Sequence, residues 1–243
     1  MKKNIYLIFF YLLISFFIIE IVLRIFFPQD TSTPWKIYLE DGLLLNKNSG
    51  TAKHHFRKNN ITVKYTFDRF HNRKYDFVKS KDKILILGDS YTFGWLLNDE
   101  DTYVYKLAKK FPNYEFINSA SSGHGTSDQL SYFEKFCKVI KPKYTFISVN
   151  YDDIARSKSS NLYKLDKQNK LISGKNIIPK ISKFVDNNKI YEFLVSNFHT
   201  IGLLRKIYSL FYYKTDINED NNSKNLKNDK KILNLYIFEK KLF

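Results

Sequence analysis

Three short segments carry residue types suited to acyl chemistry. The first is Ile84-Leu85-Ile86-Leu87-Gly88-Asp89-Ser90-Tyr91-Thr92-Phe93-Gly94-Trp95. A serine just beyond an apolar run is presented at the edge of a sheet, close to the N–H groups of whatever helix follows. Gly88 permits the tight backbone path that such a junction needs. The second segment, Asn118 to Gln129 (NSASSGHGTSDQ), places Gly123 where a backbone N–H can approach a reacting carbonyl. The third, Ile147 to Asp153 (ISVNYDD), offers the Asn150 amide as a further donor. Donors aimed at a developing oxyanion are commonly the largest catalytic term, and losing one costs ~10²–10³ in rate.

The surrounding periodicity supplies elements to hold these segments. Lys83–Leu87 (KILIL) is a short apolar run ended by Gly88 and predicts a buried strand. Tyr103, Leu107 and Phe111 recur at helical spacing. Glu115–Asn118 (EFIN) predicts a second strand, Leu130, Phe133, Cys137 and Ile140 a second helix stopped by Pro142, and Tyr144–Val149 (YTFISV) a third buried strand. Alternating strands and helices imply parallel βαβ units. Sites in such sheets lie beyond the C-terminal strand ends, where Ser90, Gly123 and Asn150 all fall. Residues 31–80 read as irregular or short-stranded, with alternation at Ile61–Tyr65. Ile201–Tyr213 reads as an aromatic-rich helix, 214–231 as a polar low-complexity loop and 232–243 as apolar again.

Taken in this order, each after a strand, the segments resemble the SGNH (GDSL-type) hydrolases. Gly88-Asp89-Ser90 matches that family's GDS motif, and Asn118 to Gly123 its N-x-x-x-S-G block. The resemblance implies a flavodoxin-like three-layer α/β/α fold with a parallel sheet. It implies Ser90 as nucleophile, supported by Gly88 and Asp89, with the N–H groups of Ser90 and Gly123 and an Asn amide as oxyanion hole. The third block of the family reads Asn-Asp after the strand. Here Asn150 has the right side chain but lies two residues early, and ungapped alignment puts Asp152 at that position instead. The family's Asp-x-x-His, its general base and orienter, has no counterpart after Ser90. His124 and His199 lack an Asp three residues before them, and Asp68-Arg69-Phe70-His71 lies upstream of the serine. The expectation is a domain incomplete at its C-terminus, with activity reduced or lost without its base.

Residues 5–27 are almost continuously apolar, long enough to cross a hydrocarbon core. Lys2 and Lys3 precede the run, and Pro28, Gln29 and Asp30 close it, so the positive-inside bias sends the remainder across the membrane. Bulky Ile21, Val22, Leu23, Ile25, Phe26 and Phe27 stand where a cleaved signal would carry small residues. The expectation is one N-terminal transmembrane anchor (1–28), a membrane-proximal lead-in (29–80) and an SGNH-like domain (81–243). This makes a single-pass protein of the inner or cytoplasmic membrane, its domain facing the periplasm or cell exterior. Glu20 and Arg24 interrupt the run at i, i+4 and can pair on one helix face. A weaker likeness extends here, since anchored bacterial members of the family often carry the same E-x-x-x-R pattern.

The chain has 243 residues, 40 Lys and Arg against 24 Asp and Glu, and a formal net charge of +16. No tight basic stripe with interleaved aromatics accompanies that charge, so nucleic acid is not expected as a partner. The single cysteine, Cys137, excludes an intrachain disulfide and reads as a core residue. No metal-ligand cluster is visible and no cofactor is implied. The substrate class suggested by the outward-facing anchor and the family is an O-acylated, O-acetylated above all, envelope carbohydrate, cleaved or transferred. The alternative is a non-catalytic envelope protein that keeps the fold and binds glycan or a partner.

Overall fold

The computed structural model describes residues 2–77, 82–174, 188–208 and 210. The expectations for 214–231 and 232–243 lie outside these residues. The protein is a mixed α/β chain that divides into two compact units.

Among the described residues, the larger unit comprises 35–53, 63–77 and 82–174. Its centre is a three-stranded parallel sheet of β5 (Lys83–Leu87), β6 (Glu115–Asn118) and β7 (Tyr144–Ile147), in the order β6-β5-β7. Central β5 alternates its side chains between two cores, as the pleat requires. Leu85 and Leu87 pack with Leu43, Leu45, Tyr132 and Ile140. Ile84 and Ile86 pack with Val104, Leu107 and Phe116. Tyr132 and Ile140 come from helix α4 (Thr126–Ile140), and Val104 and Leu107 from helix α3 (Tyr103–Lys110). Helices therefore cover both faces of the central strand.

Ahead of the sheet run β1 (Lys36–Tyr38) and β2 (Leu44–Asn46), an antiparallel pair, then β3 (Gly50–Phe56) and β4 (Ile61–Phe67), a second two-stranded sheet. After β7 come α5 (Asp153–Ser160) and the antiparallel pair β8 (Tyr163–Leu165) and β9 (Leu171–Ser173).

Three expectations are corrected. The third strand ends at Ile147, and it is not buried: Tyr144, Phe146 and Ile147 are exposed. Among the described residues β7 pairs with β5 alone, and an apolar edge strand gains burial only where a neighbour covers it. On α3 the buried positions are Val104 and Ala108, while Tyr103 and Phe111 are exposed. Cys137 is half-buried, at the flank of the buried face of α4 rather than in the core.

Among the described residues, the smaller unit comprises 2–34, 54–62, 188–208 and 210. It holds α1 (Lys2–Phe26), α6 (Lys189–Asn197) and a further helix, α7 (199–208). Residues 6–26 of α1 are long and apolar enough to cross a membrane, with 11% of the apolar window buried against protein.

Candidate active site

Strand β5 delivers Gly88, Asp89 and Ser90 to a short helix, α2 (Ser90–Phe93). Asp89 caps it, its Oδ1 accepting from the Tyr91 N–H at 2.9 Å. Satisfying an orphan N–H in this way is what favours Asp at a helix start. Gly94 closes α2 at φ +77°, a left-handed conformation that a Cβ disfavours, and its N–H reaches the Ser90 carbonyl at 3.1 Å. Gly88 is required sterically, since a Cβ there would stand 2.6 Å from Thr92 Cβ. Ser90 is half-buried at the first position of α2.

The two flanking segments run alongside this junction. Beyond β6, Ser119 donates its N–H to the Ile86 carbonyl at 2.9 Å and Ser121 to that of Gly88 at 3.3 Å. Beyond β7, Ser148 donates to the Leu87 carbonyl at 3.0 Å. All three chains thus continue in register past the C-terminal ends of the strands. The order β6-β5-β7 puts the reversal of strand order between β5 and β7, the place where parallel sheets leave a crevice.

Asn150 reaches across that reversal. Its Nδ2 lies 3.4 Å from Asp89 Oδ2, and its backbone N–H donates to Asp153 Oδ2 at 2.9 Å. Arg156, on α5, donates to the same Asp89 oxygen at 2.8 Å and to Asp153 Oδ1 at 3.2 Å. Asp152, the alternative position, is 64% exposed and lies 3.6 Å from Arg156 Nη2. Of the two, Asn150 is the one bonded to the residue beside Ser90.

Gly123 is exposed at φ +94°. Lys36 Nζ donates to the neighbouring Ser122 carbonyl at 2.5 Å and would stand 3.6 Å from a Cβ at Gly123. Asn118, fully buried, does not face the crevice as a donor. Its Nδ2 binds Tyr75 Oη at 2.9 Å and the Thr92 carbonyl at 3.0 Å, fastening the end of β6 to α2.

The histidines are committed elsewhere. His124 is buried with Nε2 2.5 Å from the Leu44 carbonyl, and burial lowers its pKa. Its neighbour Asp128 has a pKa raised by burial, and accepts from the Gly125 N–H at 3.0 Å. His71 is buried with Nδ1 2.7 Å from the Asn46 carbonyl. The Asp68 carboxylate accepts from the Phe70 and Asn72 N–H groups and from Asn72 Nδ2, while the His71 ring bonds the Asn46 carbonyl instead of that carboxylate. His199 Nδ1 accepts from the Gln29 N–H at 2.7 Å. Among the described residues no base hydrogen-bonds Ser90 Oγ, and no group of three or more His, Cys, Asp and Glu is placed to hold a metal.

Sequence reasoning did not find Arg73. Its guanidinium is wholly buried and donates to Asp99 Oδ1 at 2.6 and 2.9 Å, and to the carbonyls of Phe93, Gly94 and Leu97 at 2.9, 3.2 and 3.2 Å. It lies over the Tyr65 and Phe93 rings. A cation at the C-terminal end of α2 meets the carbonyls that the helix leaves unsatisfied. Nothing around Arg73 in the sequence marks it. Arg156 had a readable signal, the i, i+4 spacing from Asp152.

No family model and no curated protein matches the chain. Solved structures similar to it include AlinE4, an SGNH-hydrolase family esterase, at 24% identity and a TM-score of 0.29, covering 33% of this chain and 46% of that one. TesA is similar at 23% identity and a TM-score of 0.29, covering 31% and 44%. The chain thus spans less than half the length of these structures.

Proposed function

We propose that this chain is a serine-dependent ester hydrolase or O-acyltransferase of the SGNH kind, acting on acylated, above all O-acetylated, cell-envelope carbohydrate. The carrying observation is the junction after β5: Ser90 at the first turn of α2, with Asn150 bonded to its neighbour Asp89 from the end of β7. Ser90 Oγ attacks the ester carbonyl. The N–H groups of Ser90 and Gly123 and the second N–H of the Asn150 amide stabilise the oxyanion. The alcohol leaves, and water or a glycan hydroxyl takes the acyl group from the serine. The base that removes the serine proton is not among the described residues. The reading presumes the three-layer α/β/α architecture, of which β5, β6 and β7 form one part. Residues 6–26 serve as a single-pass anchor in the inner or cytoplasmic membrane, with the larger unit on the periplasmic or outer side. The bareness of α1 favours lipid over a core position.

A second reading is favoured by the absence of a base at Ser90 among the described residues: an envelope protein that keeps the SGNH fold and binds glycan or a partner without catalysis. Treatment of the full chain with a fluorophosphonate probe separates the two. Labelling that Ser90→Ala abolishes, with acetate release from acetylated glycan, supports the enzyme. Folded protein that neither labels nor hydrolyses a small acetyl ester overturns it.

A further inference from the structure

Among the described residues, the smaller unit exposes a second set of apolar side chains. Ile190 and Phe193 stand at i, i+3 on α6, 73% and 60% exposed. Leu204 and Ile207 stand at i, i+3 on α7, and both are exposed. Lys189 and Arg205, beside them, are exposed cations.

The corner between α6 and α7 is bound to α1 by the two charges that interrupt its apolar run. The Glu20 carboxylate accepts from the His199 N–H at 2.9 Å, and from the Thr200 N–H and Thr200 Oγ1 at 2.8 Å each. Arg24 donates from Nε to Glu20 at 2.9 Å and from Nη2 to the carbonyl of Asn197, the last residue of α6, at 2.5 Å. A carboxylate therefore meets the first N–H groups of α7, and a guanidinium meets the last carbonyl of α6. Each is the sign that its helix end favours. The ring of Phe16 lies 5.6 Å from that of Phe198 at the same corner.

Glu20 precedes Phe26, the end of α1, by six residues, or about 9 Å along the axis. With α1 across a bilayer, the corner lies inside the boundary that Phe26 marks. That is the depth, about 5–10 Å into the headgroup and acyl boundary, at which interfacial helices bury their apolar faces. Resting on the anchor reading of α1, we propose that α6 and α7 lie in the membrane interface on the side where α1 ends. Ile190, Phe193, Leu204 and Ile207 sit among the acyl chains, and the Glu20–Arg24 pair holds the corner at that depth. Two charges in an apolar span are costly unless satisfied. Here they are consumed by helix ends that would otherwise enter lipid with unpaired N–H and carbonyl groups.

The test uses the full chain, with Cys137→Ser as background, in vesicles of phosphatidylcholine and phosphatidylglycerol. Single variants Ile14→Cys, Phe193→Cys, Leu204→Cys and Lys109→Cys carry an environment-sensitive fluorophore. Lipids spin-labelled near the headgroup or near the chain end act as quenchers. The expected result is quenching of Phe193→Cys and Leu204→Cys by the shallow label, at least about two-fold above Lys109→Cys. Ile14→Cys is quenched by the deep label, and adding Glu20→Ala lowers the Phe193→Cys signal while sparing Ile14→Cys. Quenching at Ile14→Cys, with Phe193→Cys and Leu204→Cys as unquenched as Lys109→Cys, overturns the inference and leaves the anchor standing. Labels at 193 and 204 that are dry yet unquenched indicate a covering protein and also overturn it. No quenching at Ile14→Cys removes the anchor reading and the inference with it.

Discussion

Asn150 Nδ2 and Asp89 Oδ2 lie 3.4 Å apart, joining the loop after β7 to the residue that precedes Ser90. The contact engages one of the two N–H groups of the amide, and in the proposed mechanism the other meets the oxyanion. Asp89 keeps Arg156 at 2.8 Å whether or not Asn150 is present. Asn150→Ala is therefore expected to leave the thermal midpoint nearly unchanged while slowing ester hydrolysis, or fluorophosphonate labelling of Ser90, by about 10²-fold. Asp152→Asn, at an exposed ion pair, is expected to change either rate by no more than about two-fold. Large loss in Asp152→Asn with none in Asn150→Ala would reverse the assignment.

Arg73 shows how far the stability of the Ser90 helix depends on one side chain. Its removal takes a donor from the carbonyls of Phe93, Gly94 and Leu97 and both guanidinium bonds from Asp99, which keeps the Thr66 N–H at 3.3 Å. Breaking a buried pair from one side costs about 3–5 kcal/mol. Urea unfolding followed by tryptophan fluorescence should show a loss of this size in Arg73→Ala. Arg73→Lys should restore little, because one ammonium cannot span a carboxylate and several carbonyls as the planar fork does.

The strands β5 and β6 were legible to the residue, because short apolar runs bounded by Gly or Asn carry their own end signals. The exposure of β7 was not legible. Tyr144, Phe146 and Ile147 read as interior residues, but composition reports what a strand can bury and not what lies beside it. At the site, Ser90 was marked by its strand-to-helix junction. The contact that sets Asn150 apart from Asp152 is with Asp89, 61 residues away from Asn150. Asn46 is a similar case. Its amide binds the carbonyls of His71 and Ala120, 25 and 74 residues distant, and it accepts from Ser121 Oγ. Such polar stitching follows no period, so no window of sequence reveals it.

Gly94 should tolerate substitution poorly for two separable reasons. Its φ of +77° costs a side-chain-bearing residue about 1–2 kcal/mol. A Cβ would also stand 2.5 Å from Thr102 Cγ2, and Thr102 cannot retreat freely. Its hydroxyl caps α3 through the Tyr105 N–H at 3.2 Å and binds Tyr75 Oη at 2.7 Å. Gly94→Ala is expected to lower stability by about 2–3 kcal/mol. Adding Thr102→Ser removes the clashing methyl, keeps the cap and should recover part of the loss. No recovery would assign the whole effect to the backbone.

Acid should weaken the larger unit through its buried histidines. Burial lowers the pKa of His71 and of His124 in the folded protein. In the unfolded chain both titrate near about 6.5. Below that pH the unfolded state binds protons that the folded state refuses, so stability falls with pH. The contribution is fully present above about 6.5 and is lost as pH drops through the lowered folded values. Asp128 works in the opposite sense, since its raised pKa favours proton uptake by the folded state. That uptake begins only as pH approaches its own raised value, and one carboxyl opposes two imidazoles. Trp35 and Trp95 both lie in this unit and report its unfolding. The urea midpoint read from them should decline steadily from pH 7 to pH 5. His124→Gln, which can still donate to the Leu44 carbonyl, should flatten the decline, and an unchanged slope would place the proton uptake elsewhere.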